Sequence, residues 1–181
     1  MPDLITHVAA AHLIRRPFER SGRDAENRRY RVLFYLGTIL PDVTSRAVNI
    51  AFPSSMKWTL ALHTPAGALV LIGILALLFE PGMRKRAFGN LTAGAFLHFL
   101  LDTFQTSSTP VFFWLFPFSW ADCGLNWVDP GDLIPWIPVW LAGIGFLELV
   151  LYLRRRRESA SHPVEKPPLE SGSGQRKSRP A

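Results

Sequence analysis

The chain contains an uncharged run of twenty residues at 60–79, LALHTPAGALVLIGILALLF. At about 1.5 Å per residue, a helix of this length matches the roughly 30 Å thickness of the hydrocarbon core of a bilayer. A second apolar run, residues 133–153, contains Glu148 as its one charged residue and is followed by four consecutive arginines. Together these runs predict an integral membrane protein, because a soluble core does not require apolar runs of this length.

Two further segments, 88–106 and 32–52, are apolar enough to cross a membrane but carry ionisable side chains. Pro41, in the second segment, predicts a kinked or broken helix that is packed inside protein. The run 3–14 is too short to cross, so we expect a re-entrant or interfacial helix there. The predicted fold class is therefore all-α, a polytopic membrane helical bundle with about four spans.

The net charge of +6 invites the hypothesis of a nucleic-acid partner, but the basic residues flank the apolar runs. Segments 15–31, 82–87 and 154–181 are basic, whereas segments 53–59 and 107–132 together hold one basic residue. Basic loops of membrane proteins stay in the cytoplasm. The pattern therefore predicts a multi-pass protein of the cell inner (cytoplasmic) membrane with a cytoplasmic C-terminus. It favours membrane lipids as partners and argues against nucleic acid.

The composition divides the chain into two parts. Residues 1–157 are expected to form a membrane-embedded helical domain, and residues 158–181 a disordered, basic cytoplasmic tail rich in Ser, Pro and Gly. The aromatic stretch 111–120 is interrupted by proline and is expected to lie at the membrane surface. Cys123 is the single cysteine, so an intrachain disulfide is excluded.

Several ionisable side chains fall within or beside the apolar segments: His7, Asp42, His63, His98 and Asp102. Each costs roughly 2.5–3.5 kcal/mol in lipid, so together they indicate one shared polar pocket. His98 and Asp102 are four residues apart and would share one face of a helix. The alternatives are a buried His–Asp hydrogen bond that joins helices, an interfacial or capping His63, and an Asp42 that caps a helix or forms a turn.

Imidazole and carboxylate groups without cysteine suit a divalent metal, with zinc preferred and manganese or iron as alternatives. Such an ion would lower the pKa of a bound water, which could then attack an ester or phosphoester. Asp42 or Asp102 is the expected catalytic residue, as the group that accepts a proton. The sequence does not identify the substrate, whether a small molecule or a lipid.

A family resemblance rests on four ordered motifs: Thr6-His7, Gly37-Thr38-Ile39-Leu40-Pro41-Asp42, His63-Thr64-Pro65, and Leu97-His98-Phe99-Leu100-Leu101-Asp102 followed by Pro117-Phe118-Ser119. Over residues 1–130 they resemble the bacterial inner-membrane metal-dependent hydrolases, the YdjM-like or LexA-binding family. A more distant similarity is to zinc-dependent phospholipases C. The resemblance implies metal ligation by His7, Asp42, His63, His98 and Asp102. Thr44 stands where that family often has a second acid.

The leading hypothesis from the sequence is therefore a membrane-embedded metal-dependent hydrolase. The alternative is a non-catalytic membrane interaction or scaffold protein in which the His/Asp cluster is structural. Ion permeation or proton relay would require polar groups across the whole bilayer. The polar side chains here lie mainly towards one side, which argues against that third possibility.

Overall fold

The computed structural model describes residues 3–19, 23–52, 56–106 and 112–161. Within these ranges the six α-helices are α1 Asp3–Arg15, α2 Asp24–Ala51, α3 Met56–Leu62, α4 Pro65–Leu77, α5 Pro81–Thr103 and α6 Ile137–Ser161. The described residues contain no β-strand, only an isolated bridge between Gln105 and Val128. The all-α prediction is confirmed for this part of the chain. Residues 162–181, most of the predicted disordered tail, lie outside the described residues.

Two glycines allow α2 and α5 to pack closely. A Cβ atom added at Gly37 would collide with the carbonyl oxygen of Leu91, and one added at Gly94 would collide with that of Phe34. Small residues at such positions let two helix backbones approach each other. This contact fixes the spacing between α2 and α5, which carry three of the five predicted site residues.

The helix α2 continues from Asp24 to Ala51 with Pro41 inside it, so the expected break does not occur. Pro41 is buried. The next residue, Asp42, consequently lies in a helix interior. It neither caps a helix nor forms a turn, which removes that alternative.

The run 60–79 is not one helix, although it was the clearest predicted span. The helix α3 ends at Leu62 and α4 begins at Pro65. Thr64 caps α4, because its hydroxyl accepts a hydrogen bond from the amide of Gly67 at 3.1 Å. Proline suits the first position of a helix since it lacks the N–H that would be unsatisfied there. The Thr-Pro pair therefore starts a new helix and leaves His63 in the break.

One helical segment in the described part, Gly131–Arg157, is long and apolar enough to cross a membrane by length and composition. No residue of its apolar stretch is fully buried, and large side chains such as Leu141 and Phe146 are exposed, as expected for contact with lipid. The 13-residue helix α4 is also apolar but shorter, roughly 20 Å. The structure thus supports one membrane-capable helix and does not by itself establish four spans.

The helix α1 packs against α2, α5 and α6. A polar network holds α6 in place: Glu148 accepts a hydrogen bond from Arg16 at 2.9 Å and contacts Nε2 of His12 at 3.1 Å. Tyr35 on α2 lies 2.7 Å from Nδ1 of the same histidine. The hydrogen bond with Glu148 is the main cause that raises the pKa of Arg16 above its ordinary value. Glu148, the one acid in its apolar run, is therefore paired with a cation.

Candidate functional site

The structure brings all five predicted site residues into one cluster, with Asp102 at its centre. One carboxylate oxygen of Asp102 lies 3.1 Å from Nε2 of His7, and the other lies 3.1 Å from Nε2 of His98. The second oxygen is also 3.5 Å from Nε2 of His63. Three imidazoles from three separate parts of the chain thus face a single carboxylate.

Asp42 closes the cluster on the side of α2. Its Oδ1 atom lies 3.3 Å from Nε2 of His63 and 3.9 Å from Nε2 of His98. The Nε2 atoms of His63 and His98 are themselves 3.3 Å apart. The five side chains therefore form one continuous polar network rather than separate pairs.

Local structure explains how each side chain arrives there. His98 and Asp102 share one face of α5 because they are four residues apart. The close glycine contact between α2 and α5 brings Asp42 to that face. His63 reaches the same point from the break between α3 and α4, and His7 reaches it from α1.

The cluster has a buried and an accessible part. The side chains of His7 and His98 are each 1% exposed and that of Asp102 is 9% exposed. We call these three the inner triplet. Those of His63 and Asp42 are 17% and 16% exposed, and we call them the outer pair. A substrate arriving from outside would meet the outer pair first.

An aromatic wall borders the cluster. The ring of Phe99 presents an edge to His63 and to His98, with ring centroids 5.7 Å and 5.5 Å apart. Trp114 packs near Phe99, and its indole N–H donates to the hydroxyl of Thr103 at 2.9 Å. This wall limits water around the imidazoles on that side.

The sequence analysis missed the role of Arg46 at the mouth of the cluster. Its guanidinium lies 3.9 Å from Asp42, and its side chain is 47% exposed. The i,i+4 spacing of Asp42 and Arg46 on α2 was the available signal. Arg46 adds a positive charge beside the outer pair, where an anionic group of a substrate could bind.

Two chemical uses fit this arrangement. The ligand atoms of His7, His98 and Asp102 lie within 4.8 Å of one another, as do those of Asp42, His63 and His98, so either group has the spacing of a metal site. The same side chains can instead form a hydrogen-bonded acid–base network, in which a carboxylate orients an imidazole. The assignment of the five residues as metal ligands stays a prediction.

The comparisons with known proteins point away from hydrolysis. A family model described as heparan-alpha-glucosaminide N-acetyltransferase, catalytic, matches residues 23–173. No curated protein and no solved structure matches the chain. The matched region includes the helices α2 to α6 and four members of the cluster, while His7 lies before it.

This match corrects three statements of the sequence analysis. The resemblance to the YdjM-like metal-dependent hydrolases is wrong, and so is the function of metal-activated hydrolysis. The descriptions as a hydrolase, zinc-containing and metal-binding are likewise not supported. The physical reason is that the motifs are short, and buried His and Asp residues serve proton transfer as well as metal ligation. The scaffold alternative is not better supported.

Proposed function

The chain belongs to the heparan-alpha-glucosaminide N-acetyltransferase catalytic family, and from this premise we propose that it is a membrane acetyltransferase that acts on an amino group. The observation that carries the proposal is the outer pair. His63 and Asp42 lie within the matched residues, contact each other at 3.3 Å and remain accessible. A histidine oriented by a carboxylate is the group most often used as a general base.

In the proposed reaction, the amine of the acceptor attacks the carbonyl carbon of an acetyl thioester. A C–N bond forms and the C–S bond breaks. Asp42 contacts Nε2 of His63, so Nε2 carries the ring proton of the neutral imidazole. The other ring nitrogen, Nδ1, accepts the proton that the amine loses and delivers it to the departing sulfur. Asp42 holds the imidazole of His63 in position and stabilises its charged form while it carries the proton.

The inner triplet positions the imidazole of His63 from the buried side of the cluster. Asp102 lies between His7 and His98 at 3.1 Å from each, so its negative charge is held within the buried part of the cluster. His98 in turn contacts His63 at 3.3 Å. We therefore assign Asp102 and His98 as positioning residues, which fix the imidazole of His63 relative to the substrate.

For the substrates, the family suggests acetyl-coenzyme A as donor and a glucosaminide as acceptor. Arg46 would bind an anionic group of either molecule, because it is an exposed cation next to Asp42. A bound acceptor would place its amine at the accessible edge of His63. Membrane lipids are the remaining expected partners.

For the topology, we propose four crossings formed by α2, the pair α3–α4, α5 and α6. The basic segments 15–31, 82–87 and 154–181 would be cytoplasmic by the positive-inside rule. The cluster would then lie near the outer boundary of the inner membrane. A helix broken at the site resembles the discontinuous helices that line polar sites in other membrane proteins.

The test is acetyl transfer by the full chain in detergent, with isotopically labelled acetyl-coenzyme A and a heparan oligosaccharide that ends in glucosamine. Loss of a general base costs about 10²–10⁴ in rate. We expect His63→Ala to lose at least 100-fold in kcat, and Asp42→Asn to lose activity through a misdirected imidazole. The matched control is Asp132→Asn, which changes an exposed acid outside the cluster.

Two results would contradict the proposal. One is a folded wild-type protein that transfers no acetyl group to the amine, and the other is a His63→Ala variant with unchanged kcat. Elemental analysis of the same samples tests the ligand assignment separately. A near-stoichiometric metal that is lost in His98→Ala would support that assignment.

A further inference from the structure

We propose that the chain binds an anionic phospholipid in a groove at the end of the bundle opposite the His/Asp cluster. The groove lies between the start of α2 and the turn that joins α4 to α5. Its volume is about 320 Å³, and its lining residues are Arg28, Arg29, Val32, Leu33, Phe79 and Met83. The surface of the groove is almost entirely apolar, so Arg28 and Arg29 line it through their methylene stems, and their exposed guanidinium groups lie beyond it. An apolar groove beside two cations matches an amphiphilic ligand.

The two arginines are available for a ligand. Within the described residues, neither Arg28 nor Arg29 has a carboxylate at ion-pair distance. By contrast, neighbouring cations are paired: Arg31 contacts Glu19 at 3.3 Å and Arg86 contacts Glu26 at 2.8 Å. Adjacent cations without a carboxylate partner favour an external anion, and guanidinium groups suit phosphate in particular.

The apolar part of the groove follows directly from the helical spacing. Val32 lies four residues after Arg28, and Leu33 lies four residues after Arg29, so each arginine stands one turn from an apolar side chain on the same face of α2. Phe79 and Met83 complete the opposite wall. A phosphate held by the arginines would have its attached acyl chains along these apolar side chains.

The groove also lies at the level where both of its walls change from charged to apolar. On α2 the change occurs between Arg31 and Val32. On the other wall, the apolar run ends at Phe79, and the basic residues at 84–86 follow in the first turns of α5. In a membrane protein this boundary is where lipid headgroups lie and where basic residues meet anionic lipids.

A phospholipid fits better than the other candidate occupants. A soluble phosphate ion would use the arginines but not the apolar wall. An apolar helix of another protein would use the wall but would leave two cations desolvated, which is costly. The lipid alone satisfies both parts, because its phosphate is covalently joined to its chains.

This site is independent of the proposed acetyl transfer. Arg29 precedes Asp42 by 13 positions on the same helix, which corresponds to roughly 20 Å along the axis. A lipid in the groove would bridge α2 and the start of α5, the two helices that carry most of the cluster. Its binding can therefore be measured on the folded chain whether or not acetyl transfer is observed.

The experiment measures lipid binding to the full chain in detergent by native mass spectrometry, with phosphatidylglycerol, phosphatidylcholine and inorganic phosphate as separate probes. We expect phosphatidylglycerol to bind more tightly than phosphatidylcholine. The double variant Arg28→Gln, Arg29→Gln should weaken phosphatidylglycerol binding by about 30-fold. This is the contribution to the binding of anionic lipids that two basic residues near a membrane surface typically make. The matched control is Arg156→Gln, Arg157→Gln, which removes the same charge at the end of α6 and should change this binding less than twofold.

A second variant tests the apolar wall without a change of charge. Met83→Gln keeps the side-chain length and should also weaken phosphatidylglycerol binding. Unchanged binding in Met83→Gln would overturn the proposal, as would an equal loss in the α6 control. Competition by millimolar inorganic phosphate as effective as that by the lipid would assign the arginines to a soluble anion instead and would equally overturn it.

Discussion

Replacement of Gly94 by alanine tests the contact that sets the geometry of the cluster. The added Cβ would meet the carbonyl oxygen of Phe34, with the amide nitrogen of Thr38 and the carbonyl carbon of Gly37 also within contact distance. All three atoms belong to the backbone of α2. Backbone atoms cannot rotate aside as a flexible side chain would, so α2 and α5 must move apart.

The magnitude follows from a comparison with Gly89→Ala on the same helix, where an added Cβ has nothing within 4 Å. Alanine is favoured over glycine in a helix by about 0.5–1 kcal/mol, and this gain is common to both variants. The difference between them is therefore the overpacking cost, about 1–3 kcal/mol. At about 2–4 °C per kcal/mol for a chain of this size, Gly94→Ala should melt about 2–12 °C below Gly89→Ala.

The assay is the thermal melting of both purified variants in one detergent, followed by intrinsic tryptophan fluorescence. Gly94→Ala should also lose acetyl transfer, because separation of the two helices moves Asp42 away from His63 and His98. Equal melting temperatures for the two variants would refute the close packing of α2 against α5. The spacing of the cluster would then need another explanation.

Two further predictions concern α6 and the topology. Glu148→Gln removes the carboxylate that pairs with the largely buried Arg16, and we expect a loss of about 1–2 kcal/mol in the free energy of unfolding. This loss is smaller than for a fully buried pair because the side chain of Glu148 is 39% exposed. A melting temperature of Glu148→Gln equal to that of Asp132→Asn would contradict the prediction. For the topology, a membrane-impermeant maleimide should modify the exposed Cys123 in intact cells. A cysteine introduced as Arg157→Cys in a Cys123→Ser background should react with it only after the cells are permeabilised. The reverse labelling pattern would contradict the proposed orientation.

The part of the site that the sequence predicted rests on local spacing and on the cost of polar groups in lipid. The pair His98 and Asp102 follows from helical periodicity, which does not depend on the rest of the fold. The convergence of His7, Asp42 and His63 follows from the argument that lipid does not tolerate such groups apart. Both arguments are physical and needed no knowledge of the reaction.

The part that could not be predicted depends on tertiary contacts. The run 60–79 has the composition of one span, yet Thr64 and Pro65 divide it, since Thr64 caps a new helix and Pro65 suits its first position. Pro41 had the opposite outcome, because neighbouring helices bury it within an intact α2. The reaction itself was mispredicted, since ligand-type residues alone do not distinguish acid–base catalysis from metal chemistry.

The placement of His7 has a consequence for how the protein is made. The helix α1 leaves the ribosome before α5, yet the carboxylate that contacts His7 belongs to Asp102 near the end of α5. Almost the entire bundle must be synthesised before these two residues can meet. The buried cluster can therefore close only after α5 has been synthesised.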